Sequence, residues 1–234
     1  MKSSLEALEK RGYANREQRE SLAGRTKEEL YAFLHGTVPL MRTTAAYHLS
    51  PLDEEDVVHL LQQLTKEKCL YTRLAIGEIL EQGNKMTASH MVRYLGKIGN
   101  NQYKELPKKV SAKKSYPLPR DLIARSLGRM NPCVLPVLLG VLETQDASQI
   151  SEVLDAIGFM IFYYPEEAVQ EKAQVILQVA EAYREHDEVV WKCLMCLSAF
   201  PLEEAKAFFM NYISYPGLLG EEARRSLHLI EGKG

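Results

Sequence analysis

Apolar residues along this chain recur at three- and four-residue spacing, and no stretch alternates apolar and polar positions long enough to predict a sheet. Prolines and glycines cut the pattern into pieces of helix length. Those pieces predict helices over 27–36 (KEELYAFLHG), 53–64 (DEEDVVHLLQQL), 89–98 (SHMVRYLGKI), 133–142 (CVLPVLLGVL), 166–183 and 203–213. The start signals agree with the pattern. Thr26 followed by Glu29 has the spacing of a capping box, and the acids at 53–56 suit the positive end of a helix dipole. Pro51, Pro132, Pro165 and Pro201 each stand where a helix can begin.

A second set of segments lies between these. AAYHLS (45–50) has counterparts in AIGEIL (75–80), IARSLG (123–128), VLDAIG (153–158), CLMCLS (193–198) and ARRSLH (223–228). Alignment puts Leu49, Ile79, Leu127, Ile157, Leu197 and Leu227 in one column, at intervals of 30, 48, 30, 40 and 30 residues. Two helices per unit at such a period predict an α-solenoid. The stretch VLPVLLGVLETQDASQISEVLDAIG (134–158) resembles a HEAT repeat, with Pro136 in the first helix, Asp146 in the turn and a Leu/Ile–Gly second helix. HDEVVWKCLMCLSAF (186–200) resembles the turn and second helix of another, with Asp187 at the turn and Lys192 near a position where the family often carries arginine. The resemblance implies an all-α, right-handed α–α superhelix of about six helix pairs. Residues 1–25 would form an N-terminal helical cap, and residues 26–234 the HEAT-like repeat domain. A compact, non-repeating helical bundle is the alternative architecture.

The 48-residue interval predicts an insertion at about 99–119. Pro117 and Pro119 hold its end extended, and a helix is expected to start near Arg120 and to turn Leu122, Ile123, Ser126 and Leu127 toward the stack. Charge singles out the same region. The 234 residues carry a net charge of only −2, with 46% hydrophobic and 26% charged residues, which is ordinary for a globular chain. Residues 104–129, however, hold eight basic residues against two acids, and 143–204 hold thirteen acids against three basic residues. Such asymmetry speaks to partners and steering, not to fold. The lysine-rich half of the insertion, 107–116, is expected to be loose.

Candidate chemistry changes the picture little. The start MKSSLEALEKRG has no apolar core of a secretory signal, and the apolar run 133–142 is too short to span a bilayer. No membrane association and a cytoplasmic location are therefore expected, with Cys69, Cys133, Cys193 and Cys196 as reduced thiols. Cys193 and Cys196 form a C-x-x-C inside a helix, without further ligands at zinc spacing, so core packing is expected and no metal or cofactor. No two of the six histidines form an H-x-x-x-H pair; His48 and His228, on second helices, suit capping or solvated roles. No nucleophile elbow or phosphate-binding loop is present, and no catalytic constellation is found.

The expected function is a non-catalytic scaffold that binds another protein along its inner, second-helix surface. Arg42, Arg73, Lys108, Lys109, Lys113, Lys114, Arg120 and Arg125 are the candidate contact residues, and Tyr47, Asp155, Lys192 and Arg225 also fall on the groove. The alternative is a nucleic-acid-binding HEAT-like protein resembling the alkylpurine DNA glycosylases, which use aromatic and acidic groups on a cationic concave face. Trp191 is the single tryptophan and lies in the acidic region, where phosphate is repelled.

Overall fold

A computed structural model describes residues 4–113 and 115–232. Among them every regular element is helical, and no strand forms. The chain divides into two compact units, Met1–Met91 and Val92–Gly234.

The first unit contains α1 (Leu5–Glu9), α2 (Arg16–Glu20), α3 (Lys27–Leu34), α4 (Pro39–Tyr47), α5 (Glu54–Lys66), α6 (Leu70–Glu81) and α7 (Lys85–Met91). The capping box of α3 forms as expected. Thr26 accepts from the Glu29 N–H, and the Glu29 carboxylate accepts from the Thr26 N–H. Asp53 and Asp56 do the same for α5. α4 packs on α6, with α3 against α4 and α5, and α5 against α6 and α7. α2, from the N-terminal segment, packs on α4. Leu34, Leu60, Leu64, Ile76 and Leu80 form the core. α4 stops at Tyr47, short of Leu49, and His48 donates from Nε2 to the Arg19 carbonyl at 2.6 Å.

The expected helix over 89–98 is displaced. α7 begins at Lys85 and yields to a single 3-10 turn at Val92–Tyr94. Gly96, at φ +73°, then reverses the backbone in a conformation that side-chain-bearing residues avoid.

The second unit contains α8 (Leu122–Leu127), α9 (Leu135–Val141), α10 (Ala147–Tyr163), α11 (Gln170–Ala182), α12 (Asp187–Leu197), α13 (Glu203–Tyr212) and α14 (Leu218–Glu231). Short 3-10 turns at Pro132–Val134 and Pro165–Glu167 use the two prolines at their entrances. α8 packs on α10, α10 on α12 and α12 on α14; α9, α11 and α13 pack on α10, α12 and α14 in turn. The column residues Leu127, Ile157 and Leu197 are fully buried. α10 and α12 are buried on most of their faces, including polar and charged positions, because neighbouring helices cover them. Cys193 and Cys196 are fully buried in α12 and pack as small apolar groups.

Candidate functional site

The insertion folds back over the helices of its own unit. Asp121 caps α8, accepting from the Ala124 N–H at 2.8 Å, so α8 starts where the sequence predicts. Of the four residues expected to turn inward, Ile123, Ser126 and Leu127 are buried and Leu122 is half-buried. Just upstream, Tyr116 is 2% exposed and wedges against α10. Its ring meets Phe159 and Phe162 with centroids at 6.4 and 6.0 Å. A Cβ at position 158 would collide with that ring, so only glycine lets the tyrosine seat. From α14, Arg225 donates to the carbonyls of Ser111 (2.9 Å), Lys113 (3.3 Å) and Ser115 (3.3 Å). The end of the lysine-rich stretch is thus held down, against the expectation that all of 107–116 is loose. Three charge-assisted bonds and a buried aromatic ring offset its ordering entropy.

Beneath this cover lies a cluster of buried ionisable groups. On α10, Asp155 receives the Lys192 ammonium of α12 at 2.5 Å, and Lys192 is fully buried. One turn earlier on α10 stands Glu152, 3% exposed. On α14, Glu222 accepts from the Trp191 indole N–H at 3.1 Å and from Arg225 at 2.7 Å. Asp121, fully buried, accepts from Gln102 at 2.7 Å. Among the described residues of this cluster, four carboxyls therefore share two cations.

The imbalance shows in the proton affinities. Burial pushes the Glu152 carboxyl up to about 8, against the pull of Lys192 and with Asp155 and Asp121 adding to the rise. Burial alone would lower Lys192, but Asp155 and Glu152 more than offset it and hold the ammonium above its ordinary value. A lysine kept protonated has no lone pair with which to attack a carbonyl. Burial also raises the thiols of Cys193 and Cys196, so neither is a ready thiolate. Neither the lysine nor the two thiols are therefore poised as nucleophiles. Among the described residues no group of three or more His, Cys, Asp or Glu side chains is placed to hold a metal ion.

Among the described residues of this region, three polar atoms are buried without a partner: Asp155 Oδ1, Glu152 Oε2 and the Tyr116 hydroxyl. Asp155 also borders a cavity of about 170 Å³, walled by Trp191, Met195, Tyr103, Pro117 and Leu118. Tyr103 meets Trp191 edge to face at 5.0 Å. Its ring carries the Arg120 guanidinium at 4.3 Å and the Lys192 ammonium at 5.2 Å.

The sequence-predicted contact residues scatter. Lys108, Lys109, Lys113 and Arg120 are exposed on the insertion, and Lys114 lies outside the described residues. Arg125 is half-buried and donates to the Pro119 carbonyl at 3.0 Å. Arg73 is half-buried on α6. Arg42 is 9% exposed and forms a forked pair with Glu67 at 2.7 and 2.9 Å, with further bonds to the Gly36 and Thr37 carbonyls. It holds the first unit together and is not free to meet a partner. The groove candidates Asp155, Lys192 and Arg225 likewise bond within the second unit. His228 is exposed.

The residues that sequence reasoning missed are Glu152, Glu222, Tyr103 and Tyr116. The repeat alignment did hold a signal for the acids. Glu152, Lys192 and Glu222 each fall five positions before the aligned Leu/Ile column, and Asp155, Met195 and Arg225 fall two before it. Positions three apart share a helix face, and α10, α12 and α14, which pack in succession, carry Glu152, Lys192 and Glu222 in the order acid, base, acid.

No family model matches the chain, and no curated protein matches it. Among solved structures, the crystal structure of an engineered protein is similar over 89% of this chain and 99% of that one, at 13% identity and a TM-score of 0.38, a likeness too distant to bear on fold or function.

Proposed function

We propose that the protein is a non-catalytic binding module of the HEAT-like type, and that the basic ridge of its insertion is the contact surface for an acidic protein partner. The superhelical reading is supported by the order of packing, α4 on α6 in the first unit and α8, α10, α12 and α14 in succession in the second. The inner-surface reading takes a different form from the one expected. In the second unit the second-helix face is covered by the insertion itself, so the surface offered is the insertion's outer side.

One observation carries this. Lys113 and Arg120 stay exposed on either side of the stretch that Tyr116 and Arg225 pin from below, and Lys108 and Lys109 are exposed just upstream of it. Cations presented on an ordered segment lose less entropy on docking than cations on a free loop. Exposed ion pairs contribute about 0.2–1 kcal/mol each, so several acting together give weak, salt-sensitive capture.

The test is titration with an acidic polypeptide such as poly-glutamate, and separately with duplex DNA and structured RNA, at low and high salt. The expected result is salt-dependent binding of the polypeptide. Replacing Lys108, Lys109, Lys113 and Lys114 by serine should reduce it roughly tenfold without altering the melting temperature. Tighter binding of nucleic acid than of polypeptide would transfer the surface to the glycosylase-like alternative. Undiminished binding by the serine variant would remove the ridge from the interface.

A further inference from the structure

Between the starts of α10 and α12 lies a notch of about 510 Å³, within the usual range of ligand pockets. Tyr103, Ser148, Ser151, Glu185, Asp187 and Glu188 are among the residues that line it, and no described lysine or arginine does. Two opposed fields act there. The N-terminus of each helix is worth about half a positive charge. Against the two stand Asp146, which accepts from the Ser148 and Gln149 N–H groups at 3.1 and 3.2 Å, and Asp187 and Glu188 in the first turn of α12. Glu185 adds a fourth carboxylate, shared with Arg184 at 3.4 Å. The balance is about −2, so the notch favours a cation over an anion. Asp187 and Glu188 have no ion-pair partner among the described residues.

Charge alone makes a patch and not a site; Ser151 supplies the second feature. It is 2% exposed, lines the notch and has no hydrogen-bond partner among the described residues. Its hydroxyl is not one of the sealed, partnerless atoms of this unit, which are the Tyr116 hydroxyl, Glu152 Oε2 and Asp155 Oδ1, and so it opens onto the notch. We propose that the notch binds a primary alkylammonium. Its N–H groups donate to Ser151 Oγ and to the carboxylates of Asp187 and Glu188, and its methylene stem lies against Tyr103 and Val189. An ammonium has three donors and no acceptor, which matches a lining of acceptors. A metal ion fits less well, since among the described residues no three His, Cys, Asp or Glu side chains are placed to hold one. The same chemistry is offered by a free polyamine and by the lysine side chain of a peptide. The site is separate from the ridge, whose lysines it does not use.

Calorimetric titration of the full chain at low salt with putrescine, and with end-blocked glycyl-lysyl-glycine, tests the assignment. The trimethyl-lysyl form of the peptide keeps the charge and the stem but has no N–H to donate. Saturable binding of at least one primary amine is expected below about 10 mM, and the tighter of the two identifies the source as polyamine or peptide. The trimethylated peptide should bind at least about tenfold more weakly. Ser151→Ala removes a partnerless hydroxyl, so it should leave the melting temperature unchanged while weakening binding about tenfold. Glu188→Gln, at the edge of α12, is the second variant and should weaken binding several-fold. Inorganic phosphate, the ligand that bare helix N-termini select, should not bind. No saturable binding of either amine, equal binding of the trimethylated peptide, parental affinity in both variants, or tighter binding of phosphate than of amine would overturn the proposal.

Discussion

Glu152 makes the buried cluster measurable. Its carboxyl titrates at about 8 in the folded protein, against an ordinary value of 4.5, chiefly because burial disfavours the charge. A group whose folded value is raised contributes stability that is fully present below the unfolded value. That contribution is lost as pH rises through the folded value. The native protein should therefore lose stability between about pH 4.5 and pH 8 on account of this residue, and Glu152→Gln should not. A tenfold difference in proton affinity between the folded and unfolded chain corresponds to about 1.4 kcal/mol. The linkage relation then makes the change in ΔΔG between pH 5 and pH 9 about 4 kcal/mol, favouring the variant at high pH. Whatever the amide costs for its own buried N–H groups is the same at both pH values and cancels from the difference.

The assay is denaturant unfolding followed by the fluorescence of Trp191, the single tryptophan, which hydrogen-bonds Glu222 within the same unit and so reports that unit alone. Parental and variant stabilities that run parallel from pH 5 to pH 9 would refute the reasoning, because they would mean that Glu152 is ionised in the folded protein.

Other consequences follow from single contacts. Gly158→Ala should cost about 1–3 kcal/mol, the usual cost of overpacking, since its methyl displaces Tyr116. Tyr116→Phe should be neutral or slightly stabilising, as the hydroxyl has no partner to lose; thermal melts of the two variants separate the effects. Arg42→Gln leaves Glu67 buried opposite a neutral side chain and should destabilise the first unit by about 3 kcal/mol, read by hydrogen exchange in α4 and α6. The same pair sets an acid limit. Burial alone would raise Glu67, but Arg42, the Cys69 N–H and Gln63 bring it to about 2. Its contribution is present above its ordinary value of 4.5 and is lost as pH falls toward 2, which circular dichroism of an acid titration will show.

Much of the helical framework was legible because each signal is local. Thr26 with Glu29 and Asp53 with Asp56 cap their helices within four residues of chain, so sequence alone suffices to place α3 and α5. Part of the column was legible for a related reason: Leu127, Ile157 and Leu197 are each buried on a helix whose apolar face imposes a period on the sequence, whereas Leu227 is only half-buried and Leu49 lies beyond the end of α4. The helix at 89–98 was misplaced because Gly96 breaks it in a left-handed conformation that apolar spacing does not register.

What the tertiary structure decided is which charges are free. Arg42 and Arg120 look alike in sequence, yet one is locked to Glu67 and the other lies exposed on Tyr103. The length of the insertion was plain from the 48-residue interval, but its course was not. Tyr116 reaches Gly158 across 42 positions and Arg225 reaches Ser111 across 114. Contacts at such separation leave no period and no cap motif, because they depend on how whole helices pack. The raised proton affinity of Glu152 has the same origin: the packing of α10 and α12 under the insertion removes it from water and places it beside Asp155 and Lys192.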